Sequence, residues 1–179
     1  MSLLYTCITL VGMLCLLDML MTFAVIRRLR IHTELLAGRD PVDLPIIGVP
    51  VGGIPAAGPR TTLAGEPLDG LAGLRLVAFF STSCSACPEQ VAPFVAYVSG
   101  HRLPRQSVLA VVVRTGDEVP AYLDQLTAVA QVCAEHHGGD LGAAFGLGGF
   151  PAFCLLGSDG SVLASGSDPA NLPVPAVAS

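Results

Sequence analysis

Two cysteines three positions apart are the residues of this chain best suited to chemistry. Cys84 and Cys87 enclose Ser85-Ala86, directly after an apolar run and at the start of a predicted helix. Free amides and the dipole at a helix N-terminus favour a thiolate. Two thiols at this spacing can also close a disulfide. The pattern therefore predicts Cys84 as the nucleophile that attacks a substrate disulfide, and Cys87 as the thiol that resolves the mixed disulfide.

A zinc site is the alternative interpretation of such a pair, because a Cys-x-x-Cys pair often supplies half of a four-ligand site. The other half would come from Cys133 and His136, which are spaced as Cys-x-x-His. Cys133 and Cys154 both lie in apolar stretches, where cysteine usually serves as packing. We therefore predict no bound metal and no cofactor, with zinc kept as an alternative.

The elements that position the pair follow from the hydrophobic patterns of residues 51–166. Continuous apolar runs predict buried strands, and apolar residues at helical spacing predict helices. The predicted strands span 74–81, 108–113, 131–134, 152–156 and 161–165, after a short hairpin at 61–68. The predicted helices span 88–98, 121–130 and 141–145. Their order, β-α-β-α-β-α-β-β, predicts an α/β sheet with an antiparallel edge.

A second motif, Gly148-Gly149-Phe150-Pro151, stands just before one of the predicted strands. With the cysteine pair it resembles the thioredoxin superfamily, in which a loop proline, in cis, faces the two cysteines. The segment FFSTSCSAC and the apolar N-terminus are similar to the membrane-anchored TlpA/MauD type, which overlaps the redoxin family (alkyl hydroperoxide reductase/thiol-specific antioxidant). The resemblance covers about residues 51–166. It implies a thioredoxin-like fold, a central mixed sheet flanked by helices, with Phe150 and Pro151 contacting an extended substrate.

The same resemblance implies a function and its partners. It implies a membrane-tethered thiol–disulfide oxidoreductase that reduces or exchanges disulfides of a protein client, in some relatives as a maturation factor. A membrane electron donor is the second implied partner. Three positions depart from the pattern: Ser83 replaces a tryptophan, and Ala78 and Gln90 replace acidic residues. The usual proton acceptor for Cys87 is therefore not identified.

Two other functions are compatible with this fold. A peroxiredoxin-like thiol peroxidase would need Pro and Thr seven and three residues before the attacking cysteine, where this chain has Val77 and Ser81. Serine can substitute for threonine, but valine cannot substitute for proline. A non-catalytic metal-binding or interaction module is the other alternative. Retention of both Cys84 and Cys87 disfavours it.

An apolar stretch at residues 3–26 contains one charge, Asp18. As a helix it would be roughly 36 Å long, enough to span a hydrocarbon core of ~30 Å. It lacks the basic region and cleavage site of a signal peptide, so we expect an uncleaved anchor. The sequence predicts four segments. They are an anchor with a juxtamembrane helix (1–36), a Pro/Gly-rich linker (37–50), the folded domain (51–166) and a flexible tail (167–179).

The side of the membrane is predicted by two opposing signals. Arg27, Arg28 and Arg30 follow the apolar stretch, and the positive-inside rule would keep them in the cytoplasm. Tethered members of the resembled family usually work outside, so we predict an extracytoplasmic domain. Asp18 would then mark a polar contact with a membrane partner, or be a single acid that a strongly apolar helix tolerates.

Composition excludes several classes of protein. The chain is 52% apolar and 13% charged, which rules out disorder, collagen and coiled coil for the whole chain. Its net charge is −5, and all nine cations are arginines without a basic stripe. Such a chain is poorly suited to bind nucleic acid.

Overall fold

The computed structural model of the chain describes residues 46–116 and 119–175, together with residues 5, 7, 10, 12–15, 19 and 21. The chain divides into two compact units, Met1–Asp43 and Leu44–Ser179. The described residues of the first unit are helical. Most of the predicted anchor, with Asp18 and the three arginines after it, lies outside the described residues. Among those that are described, no helix is both long enough and apolar enough to cross a membrane.

A five-stranded mixed sheet forms the centre of the second unit. Within its described residues the second unit contains seven strands, of which the last five form this sheet. They are β1 Arg60–Thr61, β2 Pro67–Leu68, β3 Leu76–Ser81, β4 Val108–Arg114, β5 Gln131–His136, β6 Ala152–Leu156 and β7 Val162–Gly166. The order across the sheet is β5-β4-β3-β6-β7, and β1 and β2 form a separate hairpin. Strands β3, β4 and β5 are parallel, whereas β6 is antiparallel to both β3 and β7. The predicted α/β fold with a mixed sheet is therefore confirmed.

Three helices cover the two faces of this sheet. They are α1 Cys87–Gly100, α2 Leu123–Val129 and α3 Asp140–Phe145. Apolar side chains of α1 and α2 pack on one face, and those of α3 pack on the other. We refer to these as the α1/α2 face and the α3 face.

The sequence of the central strand β3 is apolar because the strand is buried on both of its faces. All six of its residues are buried, and successive side chains point to opposite faces. Phe80 lies on the α1/α2 face, with its ring centroid 5.6 Å from that of Phe94 on α1. Phe79 lies on the α3 face, 5.2 Å from the ring of Phe145. A strand covered on both sides reads as a continuous apolar run rather than an alternating one.

Part of the predicted linker at 37–50 packs onto the domain. Ile47 is 1% exposed and forms a β-bridge with Leu147. The Gly48 N–H donates to the Gly146 carbonyl at 3.0 Å. Gly146 has φ +61°, and a Cβ there would lie 3.1 Å from the Cα of Gly48. The folded unit therefore begins before residue 51, since Ile47, flanked by the partly buried Ile46 and Val49, packs on the α3 face.

Part of the predicted tail at 167–179 also packs onto the domain. The Asp168 carboxylate accepts the Ala170 N–H and caps a single 3-10 turn. Leu172 is 9% exposed and joins the apolar cluster of the α1/α2 face. The Tyr97 hydroxyl on α1 donates to the Pro173 carbonyl at 2.7 Å. The folded unit therefore extends beyond residue 166 to at least Pro173.

Candidate active site

The candidate site is built at the carboxyl end of β3, where the chain turns into α1. The parallel strands β3 and β4 end at the same edge of the sheet, the usual place for a site in an α/β fold. The Cys84 N–H donates to the Ser81 carbonyl, and the Cys87 N–H donates to the Cys84 carbonyl, both at 3.3 Å. Pro88 follows in the first turn of α1, where no helical partner is needed for its nitrogen. These bonds hold both cysteines between the strand and the helix.

The two cysteines differ in their access to solvent. Cys84 is half-buried, whereas Cys87 is fully buried in the core of the α1/α2 face. Cys84 opens into a groove of about 610 Å³, which we call the Cys84 groove. Its walls are formed by Ser81, Thr82, Pro88, Val119, Pro120, Ala121, Tyr122 and Gln125. An incoming molecule therefore meets the sulfur of Cys84 and not that of Cys87.

The sulfur of Cys87 has one backbone partner. The Ser81 N–H donates to Cys87 Sγ at 3.3 Å. The pKa of the Cys87 thiol is raised to about 12, chiefly by burial and in smaller part by the nearby Cys84 thiol, while the Ser81 N–H acts to lower it. No carboxylate or cation of the described chain contributes to this shift. Cys87 is therefore a protonated thiol at neutral pH unless something stabilises its anion.

Ala78 and Gln90 stand where the resembled family carries acidic residues, and neither has a charged side chain. Ala78 is fully buried in the same cluster as Cys87. The Gln90 side-chain oxygen is buried on α1 without a hydrogen-bond partner among the described residues. Neither residue supplies Cys87 with a group that takes up a proton.

The Phe150-Pro151 turn lies against the cysteine pair. Its peptide bond is cis, and Cys84 Sγ donates to the Phe150 carbonyl at 3.4 Å across 66 positions of sequence. Phe150 is half-buried and Pro151 is buried. The structure thus brings together Cys84, Cys87 and the Phe150-Pro151 turn, the four residues selected from the sequence.

The remaining cysteines lie elsewhere. Cys133 and Cys154 are 4% and 0% exposed and belong to the core of the α3 face. Cys133 and His136 are both on β5, and an odd separation along a strand places them on opposite faces. They cannot supply half of a zinc site together, so that interpretation is wrong. Within the described residues, no three side chains of the metal-binding types converge.

Sequence reasoning missed Tyr122. It is 8% exposed, lines the Cys84 groove, and has a buried hydroxyl with no hydrogen-bond partner among the described residues. Burial, then negative charge on Cys87 and on Cys84, together raise the pKa of Tyr122 to about 12. Its position was foreseeable in one respect, because residues that follow the ends of neighbouring parallel strands meet at one edge of the sheet.

Solved structures with a similar backbone were found. One is the thioredoxin domain of a thiol-disulfide oxidoreductase from Bacteroides vulgatus, with a TM-score of 0.55 and 17% identity over 66% of this chain and 89% of that one. Another is a thiol:disulfide interchange protein from Bacteroides sp., with a TM-score of 0.54 and 17% identity over 68% and 86%. No protein-family model matches the sequence, and no curated protein matches it. The similarity shows that this chain has a thioredoxin-like fold.

Proposed function

We propose that this chain is a thiol–disulfide oxidoreductase that reduces or exchanges a disulfide in a protein client through Cys84 and Cys87. The observation that carries the proposal is the arrangement of the two thiols at the end of β3. One opens into the Cys84 groove and the other is buried directly behind it. The two similar structures support it, because both proteins are named for this chemistry.

Cys84 performs the first step because its sulfur is the accessible one. It loses its proton to solvent, and the thiolate attacks one sulfur of the client disulfide. A new bond joins Cys84 to that sulfur, and the other client sulfur leaves with the electron pair as a thiolate. Because Cys84 Sγ lies 3.4 Å from the Phe150 carbonyl, a client chain bonded to Cys84 would run beside the Phe150-Pro151 turn.

Cys87 performs the second step because it is adjacent to Cys84 and shielded from other reactants. Its sulfur attacks Cys84 Sγ, an internal disulfide forms, and the second client sulfur leaves as a thiolate that takes up a proton. Two electrons have then moved from the cysteine pair to the client. A dithiol reductant or a membrane electron donor must return them before the next turnover.

Tethering to a membrane is part of the proposal. The apolar stretch at 3–26 supports an anchor. An extracytoplasmic domain is supported by the resembled family, whose tethered members usually work outside the cytoplasm. Arg27, Arg28 and Arg30 favour the opposite side. Labelling of intact cells with a membrane-impermeant thiol reagent tests the side, since Cys84 is labelled only if the domain is outside. Protection in intact cells, with labelling after lysis, would place the domain in the cytoplasm.

A thiol peroxidase receives no comparable support. Val77, at the position where such peroxidases carry proline, is fully buried on the α3 face. The Ser81 hydroxyl lies 3.0 Å from the Ser83 hydroxyl and is hydrogen-bonded to it. It is therefore engaged within the turn.

An insulin-reduction assay tests the proposed function. With a small dithiol as the electron source, we expect the full chain to accelerate the precipitation of reduced insulin. Cys84→Ser removes the accessible sulfur and abolishes this acceleration. Cys133→Ser is the matched control, because that thiol is buried on the α3 face. Undiminished turnover of the Cys84→Ser variant would overturn the assignment.

A further inference from the structure

We propose that Tyr122 is a catalytic residue of the exchange reaction, whose hydroxyl donates a hydrogen bond to the Cys87 thiolate as it forms. This inference rests on the proposed function, since it assigns a group to the step that Cys87 performs. Tyr122 then does for the buried sulfur what no carboxylate in the described chain is placed to do.

The position of Tyr122 is fixed by packing. Its ring lies in the apolar cluster of the α1/α2 face that also contains Cys87, with its centroid 6.0 Å from that of Phe80. The same side chain forms a wall of the Cys84 groove. Tyr122 therefore stands between the groove that admits the client and the core that holds the second sulfur. Negative charge on Cys87, and less so on Cys84, raises the pKa of the Tyr122 hydroxyl.

In the reduced protein the hydroxyl of Tyr122 has no hydrogen-bond partner among the described residues, the two cysteine sulfurs included. It is also fully buried. A buried hydroxyl left unpaired destabilises a fold, and such a group in a native structure needs an explanation. By contrast, the hydroxyl of Tyr97 in the same cluster is paired with the Pro173 carbonyl. The unpaired donor is the one that shares its surroundings with the two reacting sulfurs.

The Cys87 anion needs a donor of this kind. A thiolate formed in an apolar core is costly unless hydrogen bonds stabilise the charge. The described donor to Cys87 Sγ is the Ser81 N–H, and the pKa of the thiol remains raised in spite of it. A second donor lowers the cost of the anion further. Tyr122 supplies it without transferring its own proton.

The step in which Tyr122 acts is the attack of Cys87 on the mixed disulfide. The Cys87 thiol loses its proton to solvent, and its sulfur forms a bond with Cys84 Sγ. The bond between Cys84 and the client sulfur breaks, and the client leaves as a thiolate with the electron pair. Cys84 and Cys87 are oxidised together and the client is reduced. In the reverse direction, Tyr122 stabilises Cys87 as the leaving thiolate.

An aromatic disulfide, dithiobis(nitrobenzoate), separates the two steps. Cys84 attacks the probe and releases one coloured nitrothiobenzoate, and Cys87 then releases the second by attacking the mixed disulfide. The exposed Cys7 and Cys15 are replaced by serine in the full chain so that they do not react. We expect Tyr122→Phe to leave the first release unchanged and to slow the second about tenfold, as for the loss of one hydrogen bond to a charged group. The slowing is the same at each pH below the pKa of Cys87.

Tyr97→Phe is the matched control, because it removes a hydroxyl from the same cluster that is bonded away from the cysteines. It should follow the parent protein in both releases. A second release as fast in Tyr122→Phe as in the parent overturns the role of Tyr122 and leaves the proposed function intact. Equal slowing of both releases also overturns it, because that indicates a structural effect. If the parent shows no second release, the proposed function fails, and this inference fails with it.

Discussion

The two faces of the central sheet both bury cysteine thiols, and the candidate site lies on one of them. On the α1/α2 face, Cys87 is fully buried and burial raises its pKa to about 12. On the α3 face, Cys154 is equally buried and burial raises its pKa to about 12 as well. Burial therefore does not distinguish a reactive thiol from an inert one. The difference is that Cys87 has a half-exposed partner, Cys84, at a turn beside it.

The hydrogen bonds of the two sulfurs differ in sense. Cys87 Sγ accepts a bond from the Ser81 N–H, an arrangement that favours a thiolate. Cys154 Sγ lies 4.0 Å from the Leu155 carbonyl and can only donate to it, which favours the thiol. Among the described contacts, Cys87 Sγ therefore has a donor that would stabilise its anion, and Cys154 Sγ does not. This contrast leads to four tests, given in order of decreasing expected effect.

The largest effect is expected from removing one thiol from each face. Cys87→Ala should abolish turnover in the insulin assay, because the mixed disulfide on Cys84 is no longer resolved. Cys154→Ala should leave turnover unchanged. Non-reducing electrophoresis should show the client attached only to the Cys87→Ala variant. Loss of turnover in Cys154→Ala without loss of folded protein would break the comparison.

The second effect concerns alkaline pH, where the two faces should behave alike. When folding raises the pKa of a thiol, the thiol contributes to stability at pH values below its unfolded pKa of about 8.5. This contribution is lost as the pH rises from the unfolded pKa toward the pKa in the folded protein. We expect the free energy of unfolding of the reduced protein to fall above about pH 9. Cys154→Ala should reduce the fall by about a factor of ten in the unfolding constant for each pH unit. Denaturant titrations from neutral to alkaline pH measure both curves, and parallel curves would contradict this expectation.

The third effect is confined to the α3 face. Gly146→Ala places a side chain in the left-handed conformation, which costs about 1–2 kcal/mol, and brings its Cβ close to Gly48. We expect a lower free energy of unfolding and unchanged turnover of the folded protein. Gly166→Ala is the control, because nothing lies within 4 Å of a Cβ there. Equal destabilisation by the two variants would show that the close approach to Gly48 does not matter.

The smallest effect is expected from Glu135, which caps α3. Its carboxylate accepts the Leu141 N–H at 3.0 Å and the Gly142 N–H at 2.9 Å. Glu135→Gln keeps one accepting oxygen and should cost about 0.5–1.5 kcal/mol of stability. Thermal unfolding measures the loss, and the insulin assay should show none. A fall in turnover would mean that the α3 face also contributes to the chemistry.

Much of the fold was predictable from the sequence because its strands are covered on both faces. Runs such as residues 76–81 and 108–114 then carry almost no polar residue, and their type is clear. The cysteine pair and the Phe150-Pro151 turn were identified because their residue types are rare and their spacing is specific. These signals are local, so a single sequence was sufficient to detect them.

The features that were missed depend on tertiary contacts. Ile47 and Leu172 are buried, but they lie in segments rich in proline or glycine. These segments have no periodic apolar pattern from which burial could be predicted. Tyr122 was placed near a helix start, but nothing in its neighbours indicates that its hydroxyl lacks a partner. That property depends on the residues packed around the ring, among them Phe80 on β3, and the local sequence does not show these contacts.

The bond from the Ser81 amide to the sulfur of Cys87 has a consequence for the sheet itself. Ser81 is the last residue of the central strand, and its amide has a side-chain sulfur as acceptor. Under the proposed function, the terminal contact of the strand is therefore made to an atom that gains and loses a covalent bond in each reaction cycle. A change in the oxidation state of Cys87 would therefore alter a hydrogen bond of the backbone in the central strand of the domain.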